Sequence, residues 1–235
     1  MADTQATAVS VSQVSKTYRT YVRAPGKLFP QLSEVPALRK ISFTIAQGDT
    51  VGLLGKNGSG KSTLMRVLAG VLAPTEGEVT AHQKPRLLGL SGLQLPDLSV
   101  LENAELMLRA HGHSRQKSRN LAQDLVRDAD LAHKALLPYK TLSTGMKGRM
   151  SFLLAIINQP EILLLDEMLS VGDQQLQEIY TRWIDGLQAS NRTVIIASHN
   201  METIQAMCSR AIVLVNGEVG FDGPSGDAVS FLQSN

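Results

Sequence analysis

The amino-acid sequence predicts an α/β fold built on a largely parallel sheet, with a helical lobe inserted into it. Three observations lead there. From residue 161 onward, short apolar runs alternate with helix-length segments, the signature of strand–helix–strand units. A glycine-rich stretch at 55–62 separates an apolar strand from a helical run. Between about 98 and 158 the apolar positions recur at helical spacing.

Taken in order, residues 1–7 are small and polar and are expected to fray. Ala8 to Val14 alternates apolar and polar, as an edge strand does. Residues 19–37 read as a long connection, because Pro25, Gly26, Pro30 and Pro36 interrupt it; Arg19, Arg23 and Lys27, followed by Arg39 and Lys40, make it basic. Ile41 to Ile45 alternates again and ends in a turn at Gln47-Gly48-Asp49, and Thr50 to Leu54 is a short apolar strand. Lys61 to Ala69 reads as a helix stopped by Gly70 and Pro74. After a turn at Thr75-Glu76-Gly77, Glu78 to Ala81 is a short strand.

The lobe begins near Leu98 and is helical to about Leu137, with a polar break at Gly112 to Ser114 and a stop at Pro138. Gly145 to Asn158 is a second helical run. Strands follow at Ile162 to Leu165, Thr193 to Ala197 and Ala211 to Val215, with helices at Gln174 to Leu187 and Met201 to Cys208 between them. Asn216-Gly217 is a strong hairpin signal, and Gly226 to Leu232 reads as a short helix.

Composition narrows the functional classes. A chain of 235 residues makes one large domain, or a domain with a small lobe. The net charge is only +2, which does not suggest a nucleic-acid binder, and 4% aromatics leave few platforms for stacking bases. Cys208 is the single cysteine, so no intramolecular disulfide can form and a reducing cytosol fits; its apolar helical setting reads as packing. No apolar run approaches the ~20 residues of a membrane-spanning helix. Met1 to Ser15 lacks a basic-then-apolar export signal. The chain is expected to remain in the compartment where it is made and to meet a membrane only through a partner.

The chemistry centres on Gly55-Lys56-Asn57-Gly58-Ser59-Gly60-Lys61-Ser62, which fits the phosphate-loop pattern G-x-x-x-x-G-K-S/T in full. Glycines let the backbone curl so that successive N–H groups point inward at phosphate oxygens, and the helix that opens there adds a favourable dipole. Lys61 is placed to reach the β- and γ-phosphates of ATP and Ser62 to bind Mg²⁺, with Thr63 beside them. Ile162 to Leu165 ends in Asp166-Glu167, and in a parallel sheet that tip lies where ligands bind. Asp166 is the second Mg²⁺ candidate and Glu167 the candidate general base for an attacking water. His199 follows the apolar run Thr193 to Ala197 at a third such tip, suited to a γ-phosphate contact.

Leu142-Ser143-Thr144-Gly145-Met146, ahead of a helix and some 20 residues before Asp166, resembles the LSGGQ signature of ATP-binding-cassette (ABC) ATPases, with Ser143 and Gly145 matching and Thr144 and Met146 departing. With the phosphate loop, the Asp-Glu pair and His199 in the same order, the resemblance covers almost the entire chain. It implies a P-loop NTPase core of the ABC nucleotide-binding type, spanning 8–92 and 159–235, with an antiparallel β subdomain and an α-helical subdomain at about 93–158. It also implies a homodimer in which each ATP lies between one copy's phosphate loop and the other's Ser143 and Gly145.

Asp173 matches the aspartate of the family's D-loop, and it also suits the N-cap of the Gln174 to Leu187 helix. Tyr18 matches the aromatic on which adenine stacks; Tyr21 is a rival, and packing is an alternative role for either. The family's glutamine between the phosphate loop and the lobe falls near Leu90, whereas the glutamine present is Gln94, about four residues out of register.

Ser143-Thr144-Gly145-Met146-Lys147-Gly148-Arg149 and Ser170-Val171-Gly172-Asp173 resemble the SSGMKxR and SVGD spellings of bacterial surface-polysaccharide exporters. That branch implies export of a lipid-linked O-antigen, capsule or teichoic-acid glycan, an integral membrane permease as partner, and a peripheral place on the cytoplasmic face of the cytoplasmic membrane. No nucleic acid is expected, membrane contact is indirect, and by its length the chain is expected to lack the C-terminal glycan-binding domain of some members. The segment Leu93 to Glu102 is the expected contact with the permease. Alternatives are a soluble ABC ATPase acting on nucleic acid or ribosomes, or the ATPase of a different ABC transporter. Arg109, Arg115, Lys117 and Arg119 read as a solvated helical face.

Overall fold

The computed structural model describes residues 6–22, 29, 31–88, 94–157, 159–166, 179, 183, 186 and 192–234. It divides into two compact units, one of residues 1–86, 161–167 and 191–235, the other of residues 87–160 and 168–190. In the second unit Trp183 packs edge-on against Phe152, ring centres 5.4 Å apart.

The first unit holds two sheets. In the smaller, β1 (Thr7–Val22) lies between β2 (Gln31–Ala46) and β4 (Glu76–Ala81), all antiparallel. The expected long connection at 19–37 is largely strand: β1 and β2 form one hairpin whose pairing runs from Thr7↔Ala46 out to Val22↔Gln31. Pro36 is accommodated because β2 is an edge strand, where a missing N–H interrupts no ladder on its open side. Arg19 and Glu34 face each other across the hairpin and pair at 2.9 Å, which also neutralises part of the basic run. The pairing shifts register around Gln13, whose φ is +50°, a bulge backed by Gly77 so closely that any Cβ there would strike the Gln13 carbonyl.

The larger sheet has the order β6 (Ile162–Leu165), β7 (Thr193–Ala197), β3 (Thr50–Leu54), β8 (Arg210–Val215) and β9 (Glu218–Pro224), with β5 (Arg86–Leu88) beginning beside β6 where the chain leaves the unit. β6, β7, β3 and β8 are parallel, and β9 turns back antiparallel. Every residue of β6 and β7 is buried, which explains why they read as unbroken apolar runs rather than alternating ones. Asn216 and Gly217 have φ of +50° and +82°, the backbone that a tight β8/β9 hairpin needs. Arg210 ties the layers together, donating to both oxygens of Asp222 and to the Thr44 carbonyl in β2; the Asp222 carboxylate raises its pKa further.

Helix α1 (Lys61–Leu68) buries Leu64, Met65, Val67 and Leu68. Two later helices of this unit are α5 (Met201–Met207) and α6 (Ser225–Ser234). Cys208 caps the end of α5, where burial pushes its thiol up to about 12, in keeping with a packing role.

The second unit contains α2 (Val100–Ala110), α3 (Arg115–Asp128) and α4 (Thr144–Ile156). They share one apolar core that includes Val100, Leu108, Leu125, Leu131, Met150 and Leu154. The run expected to stay helical to about Leu137 ends earlier: Asp130 takes φ +56°, and a 3₁₀ turn at Ala132–Lys134 follows. Arg109, Arg115, Lys117 and Arg119 are all exposed. Among the described residues no helix is long and apolar enough to cross a membrane.

At Gly52, in the middle of β3, an added Cβ would lie 2.6 Å from Ile204 Cγ2 of α5. Gly52→Ala is therefore expected to destabilise the chain by ~1–3 kcal/mol, the usual cost of overpacking. A urea titration should show a lower midpoint at unchanged slope; an unshifted midpoint would contradict the close packing of β3 on α5.

Candidate functional site

Three strand tips meet at one edge of the larger sheet. Residues Thr50–Leu53 of β3 pair in parallel register with Val194–Ala197 of β7, and β7 pairs with β6 so that Leu165 faces Ile196. The residues that follow each strand, Gly55 after β3, Ser198-His199 after β7 and Asp166 after β6, therefore emerge on the same side. Asp166 is half-buried and His199 exposed. Ser198 is held to the β3 end through its N–H and the Leu53 carbonyl, and its own hydroxyl accepts from Asn200 N–H.

Between β3 and α1 the loop Gly55–Gly60 folds tightly on itself. Gly55, Gly58 and Gly60 take φ of +151°, +81° and +108°, values that side chains oppose. The crowding differs among them. A Cβ on Gly55 would strike the Ser59 hydroxyl, and one on Gly60 would lie 2.7 Å from the Ala37 carbonyl, whereas Gly58 opens onto free space. Asn57 and Gly58 are exposed. Backbone bonds lock the loop from behind: Gly217 N–H donates to Ser59 O at 3.0 Å, and Arg39 N–H donates to Gly217 O at 2.7 Å.

Lys61 is buried inside the loop, its Nζ donating to the carbonyls of Gly55 (2.5 Å) and Lys56 (3.3 Å). The Ser59 Oγ is buried with no hydrogen-bond partner among the described residues. Helix α1 begins at Gly60 with no side-chain cap and no acidic residue in its first turn, so its leading N–H groups face the loop. Ser62 is exposed and Thr63 half-buried in that first turn. A cation held among carbonyls, an orphan hydroxyl and an uncapped helix start together form a seat for an anion. Tyr18 joins this edge, its Oη lying 3.4 Å from the Thr63 hydroxyl.

In the helical unit, Ser143 is the N-cap of α4 and accepts from Met146 N–H at 3.3 Å, with Gly145 in the first turn. Its hydroxyl proton is left for another acceptor. Gln94 points its amide at Ser151 Oγ of α4, 3.4 Å away. Sequence reasoning passed over Asn103. This fully buried side chain donates to the carbonyls of Leu95, Leu98 and Ser99 and accepts from Leu95 N–H, binding the segment after Gln94 onto α2. The Ser99-x-x-Glu102 capping box beside it was the available signal. Glu167 and Asp173 lie outside the described residues.

With this geometry in hand, a family model described as ABC transporter matches residues 38–170. The chain belongs to that family.

Curated proteins similar to this ABC-family chain include three named "Teichoic acids export ATP-binding protein TagH". The one from Listeria monocytogenes is 36% identical over 219 residues, covering 90% of this chain and 65% of that protein. The one from Shouchella clausii is 35% identical, covering 92% of this chain and 62% of that protein. The one from Staphylococcus saprophyticus is 30% identical, covering 90% and 82%. The chain thus spans a little under two thirds of the first two. Among solved structures, a dimeric post-hydrolysis state of the ATP-binding cassette MJ0796 bound to ADP and Pi superposes with a TM-score of 0.74 at 24% identity, over 92% of this chain and 98% of that one. This likeness establishes the fold.

Because the Ser59 hydroxyl is buried and unpartnered, Ser59→Ala is expected to leave the ligand-free chain as stable as before, or up to ~1 kcal/mol more stable, while weakening triphosphate binding. Thermal melts with and without nucleotide test this. A marked drop in the ligand-free melting temperature would mean that the hydroxyl is already satisfied.

Proposed function

We propose that this chain is the ATP-hydrolysing subunit of an ABC exporter, acting as a homodimer with an integral membrane permease on the cytoplasmic face of the cytoplasmic membrane. The observation that carries this reading is the loop at 55–62, with Lys61 drawn inside it, the Ser59 hydroxyl unpaired and the start of α1 uncapped. Such a loop is complementary to a polyphosphate and to little else.

In this reading Lys61 holds the β- and γ-phosphates, and Gly55, Asn57, Gly58, Ser59, Gly60 and Thr63 supply the surrounding cradle. Ser62 and Asp166 offer hard oxygen donors of the kind Mg²⁺ takes; the ion, when bound, neutralises charge on the phosphates. Glu167 orients and deprotonates the attacking water. His199, exposed at the β7 tip, contacts the γ-phosphate. Tyr18 supports the adenine.

Ser143 and Gly145 act on the ATP of the second copy. The N-cap of α4 places helix-start N–H groups and the Ser143 hydroxyl where a γ-phosphate from outside can be received. A chain with one phosphate loop and one signature loop needs a twin to complete either site, and Asp173 belongs to the same shared surface. ATP drives transport only through affinity that differs between the open and closed pair.

The cargo we propose is a lipid-linked surface polysaccharide of teichoic-acid type. Its support is the set of relatives carrying that name and the Ser143–Arg149 and Ser170–Asp173 spellings.

Two variants test the shared site. Glu167→Gln should bind ATP normally, lose at least ~100-fold in hydrolysis, the scale of a general base, and accumulate as an ATP-bound dimer on gel filtration. Normal turnover would remove Glu167 from the role. Ser143→Arg should bind ATP as a monomer and fail to dimerise with it; ATP-dependent dimers of this variant would refute the two-copy site.

A further inference from the structure

We propose that Asn103 is a positioning residue for Ser143: it clamps the segment 95–99, and through that segment fixes the run 137–142 that delivers Ser143 to the nucleotide of the other copy. This deepens the shared-site reading above and rests on it.

Asn103 stands in the first turn of α2 and is only 1% exposed. Its Oδ1 accepts from the Leu95 N–H at 2.8 Å, and its Nδ2 donates to the carbonyls of Leu95 (2.9 Å), Leu98 (3.1 Å) and Ser99 (3.0 Å). Leu95 is thus held by both of its backbone groups, as a residue is in one rung of an antiparallel ladder. A side-chain amide suits this task because it carries an acceptor and a two-proton donor side by side. Aspartate would turn an anion toward three carbonyls, and alanine would release all four bonds.

Backbone bonds carry the clamp onward. The Leu98 carbonyl that accepts from Asn103 also accepts from the Tyr139 N–H at 2.8 Å, so one oxygen joins the two runs. On either side of it, the Lys140 N–H donates to the Pro96 carbonyl and the Val100 N–H to the Leu137 carbonyl, each at 3.0 Å, and Ser99 bridges Pro138 in antiparallel pairing. The segment 96–100 and the run 137–140 are therefore tied as a short ribbon. Little slack separates that ribbon from Ser143. The N–H groups of Thr141 and Leu142 fold back onto the Pro138 and Tyr139 carbonyls at 2.9 and 3.1 Å, Leu142 is buried, and Ser143 follows as the N-cap of α4. Asp97 and Lys140 also pair across the two runs, at 2.8 Å, but both side chains are mostly exposed, and such a pair contributes little. The buried amide of Asn103 is the stronger tie. A hydroxyl and helix-start N–H groups serve a phosphate only when held within about 0.5 Å of the productive geometry by what surrounds them.

Two affinities separate positioning from folding, both measured with the full chain carrying Glu167→Gln so that ATP persists. ATP binding is measured at a protein concentration too low for dimers, and ATP-driven dimerisation by sedimentation over a concentration series. Asn103→Ala is expected to raise the dimer dissociation constant about tenfold and to leave ATP binding by the monomer unchanged; a full 1 Å misplacement costs about 100-fold, and a loosened loop costs less. Leu108→Ala is the control for lost stability, because it opens a cavity beneath the same helix and leaves the clamp whole. It is expected to lower the melting temperature at least as much and to dimerise as the parent does. If Asn103→Ala does not fold, Asn103→Ser should show a smaller loss of the same kind. Unchanged dimerisation in the Asn103 variants, an equal loss in Leu108→Ala, or weaker ATP binding by the Asn103 monomer overturns the positioning role. ATP-driven dimers of Ser143→Arg would instead remove the shared site, and the role of Asn103 with it; that outcome is read on a different variant and is distinct from the failure of the clamp alone.

Discussion

The site depends on the parallel, in-register pairing of β6, β7 and β3. Parallel strands must all run the same way, so their C-terminal ends lie along one edge, and whatever follows each strand is delivered there. Here that edge receives the phosphate loop, Asp166 and His199 from positions up to 144 residues apart in the chain. Complete burial of β6 and β7 makes the register hard to slip, since any shift would break ladder bonds that no water can replace.

The loop after β3 is held in a demanding backbone conformation by its surroundings. Gly55 and Gly60 cannot carry side chains because the Ser59 hydroxyl and the Ala37 carbonyl occupy the space, and the β8/β9 turn bonds to Ser59 from behind. The Asn216-Gly217 hairpin, far from the phosphate motif in sequence, is thus part of its scaffold. Such prior positioning lets donors meet a phosphate without paying to organise first. In the other unit, Asn103 does comparable work on the segment after Gln94, satisfying all its amide groups inside the protein while tying that segment to α2.

Much of this was legible beforehand. The phosphate loop, the three apolar strands and the Asn216-Gly217 turn depend on local patterns of a few residues, and the structure places each where it was expected. The outer β1/β2 hairpin was not legible. Four breakers between Pro25 and Pro36 read as a loop, whereas Pro36 stands on an edge that asks nothing of its missing N–H. The end of α3 was also misplaced, because a positive φ at Asp130 leaves no periodic signal.

What the sequence offered by itself was candidate chemistry, residue types at short spacings suited to bend around phosphate, hold a metal or activate water. What only the tertiary structure decided was facing and adjacency. Whether Tyr18 or Tyr21 looks toward α1 is a matter of strand parity, which a one-residue shift would reverse. The orphan hydroxyl of Ser59 and the four bonds of Asn103 likewise exist only once distant segments have packed, because burial and hydrogen-bond satisfaction are properties of the folded interior and not of any stretch of chain.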